Sequence, residues 1–488
     1  MPTAVPPVLP AVIQGGMGVN ISSYRLARTV AAAGGLGVIS GVAPDLLLAR
    51  WLQDGDPTGE VREAMAGYPD QAFVAETVDR YFLDGGRAPG KAYRPNPKLD
   101  LNQKSGPVRL TALGAYVQVA LAKTGHDGVV GINLLEKVQL WTPAALLGAV
   151  LADVDFVLVG AGVPTHLPRV LNGLADCHPV SLPIDVAGSQ TGESWSITLD
   201  PAEVVPGLTA PLKRPFFLAI VSSNILGTYL ARDETTRPDG FVVELPSAGG
   251  HNAPPRRLEL DDGGEPIYGP RDEVDLTKID TIGLPFWVAG GYATPDRLRE
   301  AQEAGAVGVQ IGTAFALSDE SGMTPPVRTV LRERVRADNL RVRTDPLASP
   351  TGFPFKVAQM PGTVADPTTY GSRDRICDLS YLRTAYRREN GSVGYRCASE
   401  PVDAYVRKGG DAEDTLGRMC LCNGLAATAG LAQLRGDSDV EPYLVTLGSD
   451  RVQLAGLLER HKDGWSALDV MSWLTEPSLS SVAGSAAT

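Results

Sequence analysis

Apolar and polar positions along the chain repeat one unit about eight times. A short run that is apolar on both faces ends in a glycine-bearing turn, and a helix-length segment follows. The clearest copy is Pro285–Phe315. Apolar runs Pro285–Gly290 and Val307–Phe315 flank a helix that starts at Thr294-Pro295, an N-cap donor followed by proline, and closes at Gly305. The other runs are Val12–Gln14, Leu36–Ser40, Val129–Leu134, Phe156–Gly160, Phe216–Ser222 and Phe241–Glu244. Strands buried on both faces and separated by helices form parallel sheets, so the pattern predicts an α/β fold, one (β/α)8 TIM barrel over residues 1–330. A doubly wound sheet is the alternative, but no GxGxxG follows the first strand.

Two regions break the rhythm. Asp, Gly and Pro accumulate from Gly41, and we expect an insertion after strand 2, residues 41–127, to act as a lid, with helix near Leu46–Gln53, Ala72–Tyr81 and Leu110–Lys123. Residues 179–212 read as short strands and turns. Beyond Met323 the strand pattern fades while Pro and Arg increase, which predicts a mostly helical C-terminal extension, residues 331–488, packed on the barrel.

Composition narrows the partners. The 488 residues carry a net charge of -12, which disfavours a nucleic-acid or membrane-surface partner, since either selects a basic face. The N-terminus lacks the basic and apolar regions of a signal peptide, and Asp153 and Asp155 interrupt the apolar stretch Ala144–Gly162. A cytoplasmic protein is expected.

Candidate chemistry sits at the strand ends. Gly290-Gly291 and Gly312-Thr313 follow strands seven and eight, where barrels commonly hold a phosphate on bare backbone N–H groups. His251 follows Gly249-Gly250 at the end of strand six; an imidazole there can move a proton near neutral pH, or simply hydrogen-bond its own loop. Of five cysteines, Cys377, Cys397, Cys420 and Cys422 cluster in sequence within the extension. Four thiolates close a [4Fe–4S] cluster or a zinc site, although this spacing matches no common ferredoxin or zinc ribbon, and buried free thiols are the third reading.

Five ordered motifs carry a resemblance: IQGGMGVNIS at Ile13–Ser22, GINLLEK at Gly131–Lys137, SAGGH at Ser247–His251, VAGGY at Val288–Tyr292 and VQIGTAF at Val309–Phe315. Together they resemble the nitronate monooxygenases, whose flavoprotein superfamily also holds FMN-dependent enoyl-ACP reductases and trans-acting enoyl reductases. The resemblance implies FMN at the C-terminal ends of the barrel strands. Gln14, Gly15, Gly16 and Met17 would pass beside the isoalloxazine, Asn133 would reach the flavin or ribityl, and Gly249 and Gly250 would approach the ring. Gly290, Gly291, Gly312 and Thr313 would hold the phosphate, with Gln310 in the same cofactor-binding set, and His251 would handle the proton. Some superfamily members acting on fatty acyl chains pair FMN with a [4Fe–4S] cluster, which favours that reading of the cysteines. Ser247 departs from the simple nitronate monooxygenases, which have an acidic residue there, and this weakens transfer of the nitronate activity.

The reactions left open are nitronate oxidation with O2, enoyl-thioester reduction with a reduced nicotinamide, and dehydrogenation or isomerisation of carrier-bound acyl chains. In another class, the protein would be a flavin-bearing electron-delivery or binding partner of a carrier-protein complex. The partners to consider are a small-molecule or acyl-thioester substrate, a second copy of the chain in a homodimer, and an acyl carrier protein. The last would dock on Arg328, Arg332, Arg334, Arg336, Arg341 and Arg343, although a solvated helix face is the preferred reading of these.

Overall fold

All eight apolar runs pair in parallel: β1 (Val12–Gln14), β2 (Leu36–Ser40), β3 (Val130–Leu135), β4 (Phe156–Gly160), β5 (Phe216–Val221), β6 (Gly240–Glu244), β7 (Phe286–Ala289) and β8 (Gly308–Ile311). They form a closed barrel in a computed structural model that describes residues 9–103, 105–436 and 439–476. Each strand neighbours the next in sequence, and β1 closes the ring by pairing Ile13 with both Leu36 of β2 and Gln310 of β8. The fold is therefore the expected TIM barrel.

Inward-facing residues fill the barrel. Ile13, Leu36, Val38, Phe156, Leu158, Phe216, Leu218, Val242, Trp287 and Ala289 make one buried cluster, and the Trp287 indole N–H seals its lower end by donating to Pro10 O at 2.7 Å. Because this interior is packed, the free volume lies at the C-terminal mouth.

Helices cover the outside, and some depend on close backbone approach. A Cβ on Gly148 would stand 1.9 Å from Ala112 O, so helices Ser105–Lys123 and Thr142–Leu151 touch through a bare glycine. The first of these begins five residues before the expected Leu110, because Pro107 falls in its first turn, where its missing N–H has no partner to lose. Residues 179–212 supply a separate hairpin, Val180–Pro183 with Ser196–Leu199.

Within 41–127 lie helices Pro44–Gln53, Glu60–Ala66, Gln71–Tyr81 and Ser105–Lys123. Among the described residues of this region, only Val42 lines the cavity at the barrel mouth. The region instead supports the extension: Asp45 accepts from Tyr381 OH at 2.7 Å, and Arg50 donates to Leu431 O. The extension itself holds short helices and three antiparallel hairpins, Val342–Asp345 with Phe355–Ala358, Thr384–Arg387 with Val393–Arg396, and Leu434–Arg435 with Asp439–Val440. Residues 477–488 of the extension lie outside the described residues. Among the described residues, no helix is long and apolar enough to cross a membrane.

Candidate active site

The strand ends enclose a cavity of ≈ 220 Å³. Gly15, Gly16, Met17, Asn133, Gly249, Gly250, His251, Gly290, Gly291, Gln310, Gly312 and Thr313 all line it. Gln14 does not, which corrects its expected place beside a cofactor. Its amide is consumed in bracing the turn: Nε2 donates to Ser22 Oγ at 2.8 Å and to Gly15 O at 2.6 Å, and Oε1 accepts from Val38 N at 3.1 Å. The Gly15–Met17 turn is thereby held against the barrel, and a Cβ on Gly16 would stand 2.2 Å from Asn133 Cβ.

At one end of the cavity the backbone is bare. Gly290 and Gly291 adopt φ of +94° and +81°, left-handed values that favour glycine. A Cβ on Gly312 would meet only Met17 Sδ at 3.8 Å, so this residue faces open space. Thr313 Oγ1 accepts from Gly448 N at 2.9 Å, which leaves its hydroxyl proton to donate elsewhere. Gln310 Oε1 is buried without a partner. A bare cradle for a phosphate and an orphaned acceptor for a ribityl hydroxyl or ring N–H fit FMN. One carboxylate borders this end: Asp450 lies beside Gly291, its oxygens accepting from Gln453 Nε2 at 2.8 Å and Val452 N at 3.2 Å.

His251 is fixed by the extension. Lys356 N donates to Gly250 O and Asn252 N to Pro354 O, both at 2.9 Å, and the imidazole packs edge-on to Phe355 with ring centroids 4.8 Å apart. Its Nε2 is 2.7 Å from Ser349 Oγ, which is 2.8 Å from Thr351 Oγ1. Burial, with Lys137 nearby, pushes the imidazole down to about 4, so it is neutral at physiological pH and suited to accept a proton.

Several lining positions were not singled out from the sequence. Glu244, the last residue of β6, lines the cavity, and burial pushes its carboxyl up to about 8. The extension adds Phe355, Tyr381, Thr446 and Gln453 to the lining, and Thr446 Oγ1 accepts from Gly250 N at 2.9 Å. Glu244 had a legible signal, a carboxylate at a strand's C-terminal end. The extension residues had none, being distant in sequence from every barrel motif.

The cysteine expectation divides. Cys377, Cys397, Cys420 and Cys422 do line one small cavity, and Cys422 also reaches the large one. At ≈ 10 Å³ that space suits about one water rather than a cluster. Among the described residues, no group of three or more His, Cys, Asp or Glu is placed to hold a metal ion. Burial raises the thiols of Cys420 and Cys422, and Cys397 is raised chiefly by its hydrogen bond to Cys377, which falls to about 6. A four-thiolate metal site does not fit this arrangement. Nor do the six arginines make one docking face, since Arg332 is buried and donates to Leu317 O, Trp465 O and Asp319.

No family model matches the chain. A probable nitronate monooxygenase of Staphylococcus haemolyticus is 28% identical over 122 residues, 24% of this chain and 33% of that protein, so the match spans about a third of the relative's length. FabK from Thermotoga maritima aligns over 95% of this chain and 91% of its own, at 16% identity and a TM-score of 0.45. Nitroalkane oxidase from Streptomyces ansochromogenes aligns over 96% and 94%, at 16% identity and a TM-score of 0.46. The enoyl reductase domain of MlnA, from the macrolactin biosynthesis cluster of Bacillus amyloliquefaciens, aligns over 95% and 92%, at 12% identity and a TM-score of 0.48.

Proposed function

We propose that the protein is an FMN-dependent oxidoreductase acting at a carbon α or β to an electron-withdrawing group, with His251 handling the proton. The observation that carries this reading is the joining of a bare-glycine cradle, an orphaned Gln310 acceptor and a neutral imidazole in one cavity at the barrel mouth. FMN, when bound, supplies hydride or single-electron exchange. Gly290, Gly291, Gly312 and Thr313 would hold its phosphate, and Gly15, Gly16, Met17, Asn133, Gly249 and Gly250 would flank the ring and ribityl.

The chain's own residues then define the chemistry. His251 accepts a proton in its neutral form, while Ser349 fixes the ring orientation through Nε2. Leu382, Leu421 and Leu425 give part of the cavity an apolar wall, which suits an alkyl or acyl chain and excludes water from the reacting carbon. The short match to the probable nitronate monooxygenase makes a nitronate the other substrate to try. The role of electron-delivery partner has less support, because the arginine patch does not converge on one face.

Steady-state assays with an alkyl nitronate under O2, an enoyl thioester with NADPH or NADH, and a saturated acyl thioester with an electron acceptor test the reading. Turnover of one class is expected, with a thioester favoured by the apolar wall. Flavin-loaded protein inactive on all three would overturn the proposed reaction class.

A further inference from the structure

We propose, resting on the flavoenzyme reading above, that Glu244 is a second catalytic proton carrier of the site, working beside His251 and exchanging its proton with solvent through a side cavity. The placement supports this. Glu244 ends β6, seven residues before His251, and lines the ≈ 220 Å³ cavity together with it. It also lines a second cavity of ≈ 150 Å³, whose other residues include the exposed Arg256, Arg271 and Glu273. A side chain shared by the reaction cavity and a second, more polar cavity can receive protons on one side and deliver them on the other.

The groups facing Glu244 leave it unpaired. Lys356, on the strand Phe355–Ala358, donates to Thr344 Oγ1 at 2.6 Å, and among the described residues Glu244 makes no ion pair. Tyr268, from the loop between β6 and β7, donates to Ala253 O at 3.0 Å. Burial outweighs the Lys356 charge and holds the carboxyl up at about 8, while burial also lowers Lys356 to about 8. With His251 lowered to about 4, the carboxyl carries a proton at neutral pH and the imidazole has a free acceptor site. Two groups lining one cavity whose environments drive them apart in this way divide acid and base roles.

In enoyl-thioester reduction, bound FMN reduced by a nicotinamide would supply the hydride that forms a C–H bond at the β carbon. The former π pair takes the proton of Glu244 at the α carbon, so the carboxyl O–H breaks and a carboxylate remains. A proton entering through the side cavity restores the acid. In acyl oxidation neutral His251 would take the α proton while bound oxidised flavin would accept the hydride from the β carbon.

The test combines pH–rate profiles with a direct titration of the carboxyl, by 13C NMR of protein labelled at glutamate side-chain carboxyls. Wild type is expected to lose reductive turnover as pH rises through about 8, with one carboxyl titrating in the same range. Glu244→Gln should remove that resonance and that limb, keep flavin, and slow turnover by about 10²-fold or more. Lys356→Met should shift the limb to higher pH, because a charge that favours the carboxylate is gone. A limb that survives in Glu244→Gln but vanishes in Lys356→Met would assign the role to the lysine and overturn the proposal. So would carboxyls that all titrate near the ordinary ~4.3, a wild-type reading that stands even if Glu244→Gln does not fold. Wild-type protein that binds no flavin overturns the underlying reading and this inference with it.

Discussion

Replacing His251 by Asn is expected to leave flavin bound while slowing turnover by about 10²–10⁴-fold, the usual scale for a lost general acid or base. The cofactor should stay because the loop is held by backbone: Lys356 N to Gly250 O, Asn252 N to Pro354 O and Gly250 N to Thr446 Oγ1 do not involve the imidazole. Turnover should fall because Asn cannot accept the proton that the neutral imidazole takes. The pH profile gives the sharper signal. With the imidazole lowered to about 4, the acid limb of wild-type activity should appear as pH drops through that value and protonates the ring, and this limb should be absent from the variant. A near-normal rate with an unchanged profile would reduce His251 to a structural part of the loop.

Changing Gly312 to Leu is expected to weaken FMN binding by about 10²–10⁴-fold without unfolding the barrel, the equivalent of two lost charge-assisted hydrogen bonds. Gly312 has φ -106°, open to any residue, and its Cβ would meet only Met17 Sδ at 3.8 Å, so the added side chain enters the cavity rather than the core. Gly290 is a poorer probe. Its φ of +94° strains any other residue, and a Cβ would approach Ser247 Oγ to 3.0 Å and Ala248 N to 3.1 Å, so lost binding there would mix with a distorted loop. Flavin titration paired with a circular-dichroism melt separates these effects. Normal affinity in Gly312→Leu would place the phosphate elsewhere.

The barrel was legible because its strands announce themselves locally. Runs such as Phe156–Gly160 are apolar on both faces and end at glycine, and each found its place in the ring. The strand-end glycines and His251 followed from the same rule. What stayed hidden depends on contacts between segments remote in sequence. Nothing around Ser349 or Thr446 marks them as partners of His251 and Gly250, because a lone hydroxyl in an irregular stretch has no periodicity to betray it. The hairpins of the extension have strands of two to four residues, too short to show alternation. Gln14 misled for the opposite reason: it belongs to a cofactor-like motif, yet its amide is fully used in holding the turn that reaches the cavity. The clustered cysteines pointed correctly to one location, but spacing alone carries neither the volume between the thiols nor their protonation.

Flavin stoichiometry tests the central claim most directly. Protein purified from flavin-replete cells and released by heat is expected to yield about one FMN per chain, identified as FMN rather than FAD by chromatography. Folded protein that releases no flavin, and takes up none when titrated with FMN, would contradict the reading of the barrel mouth as a flavin site.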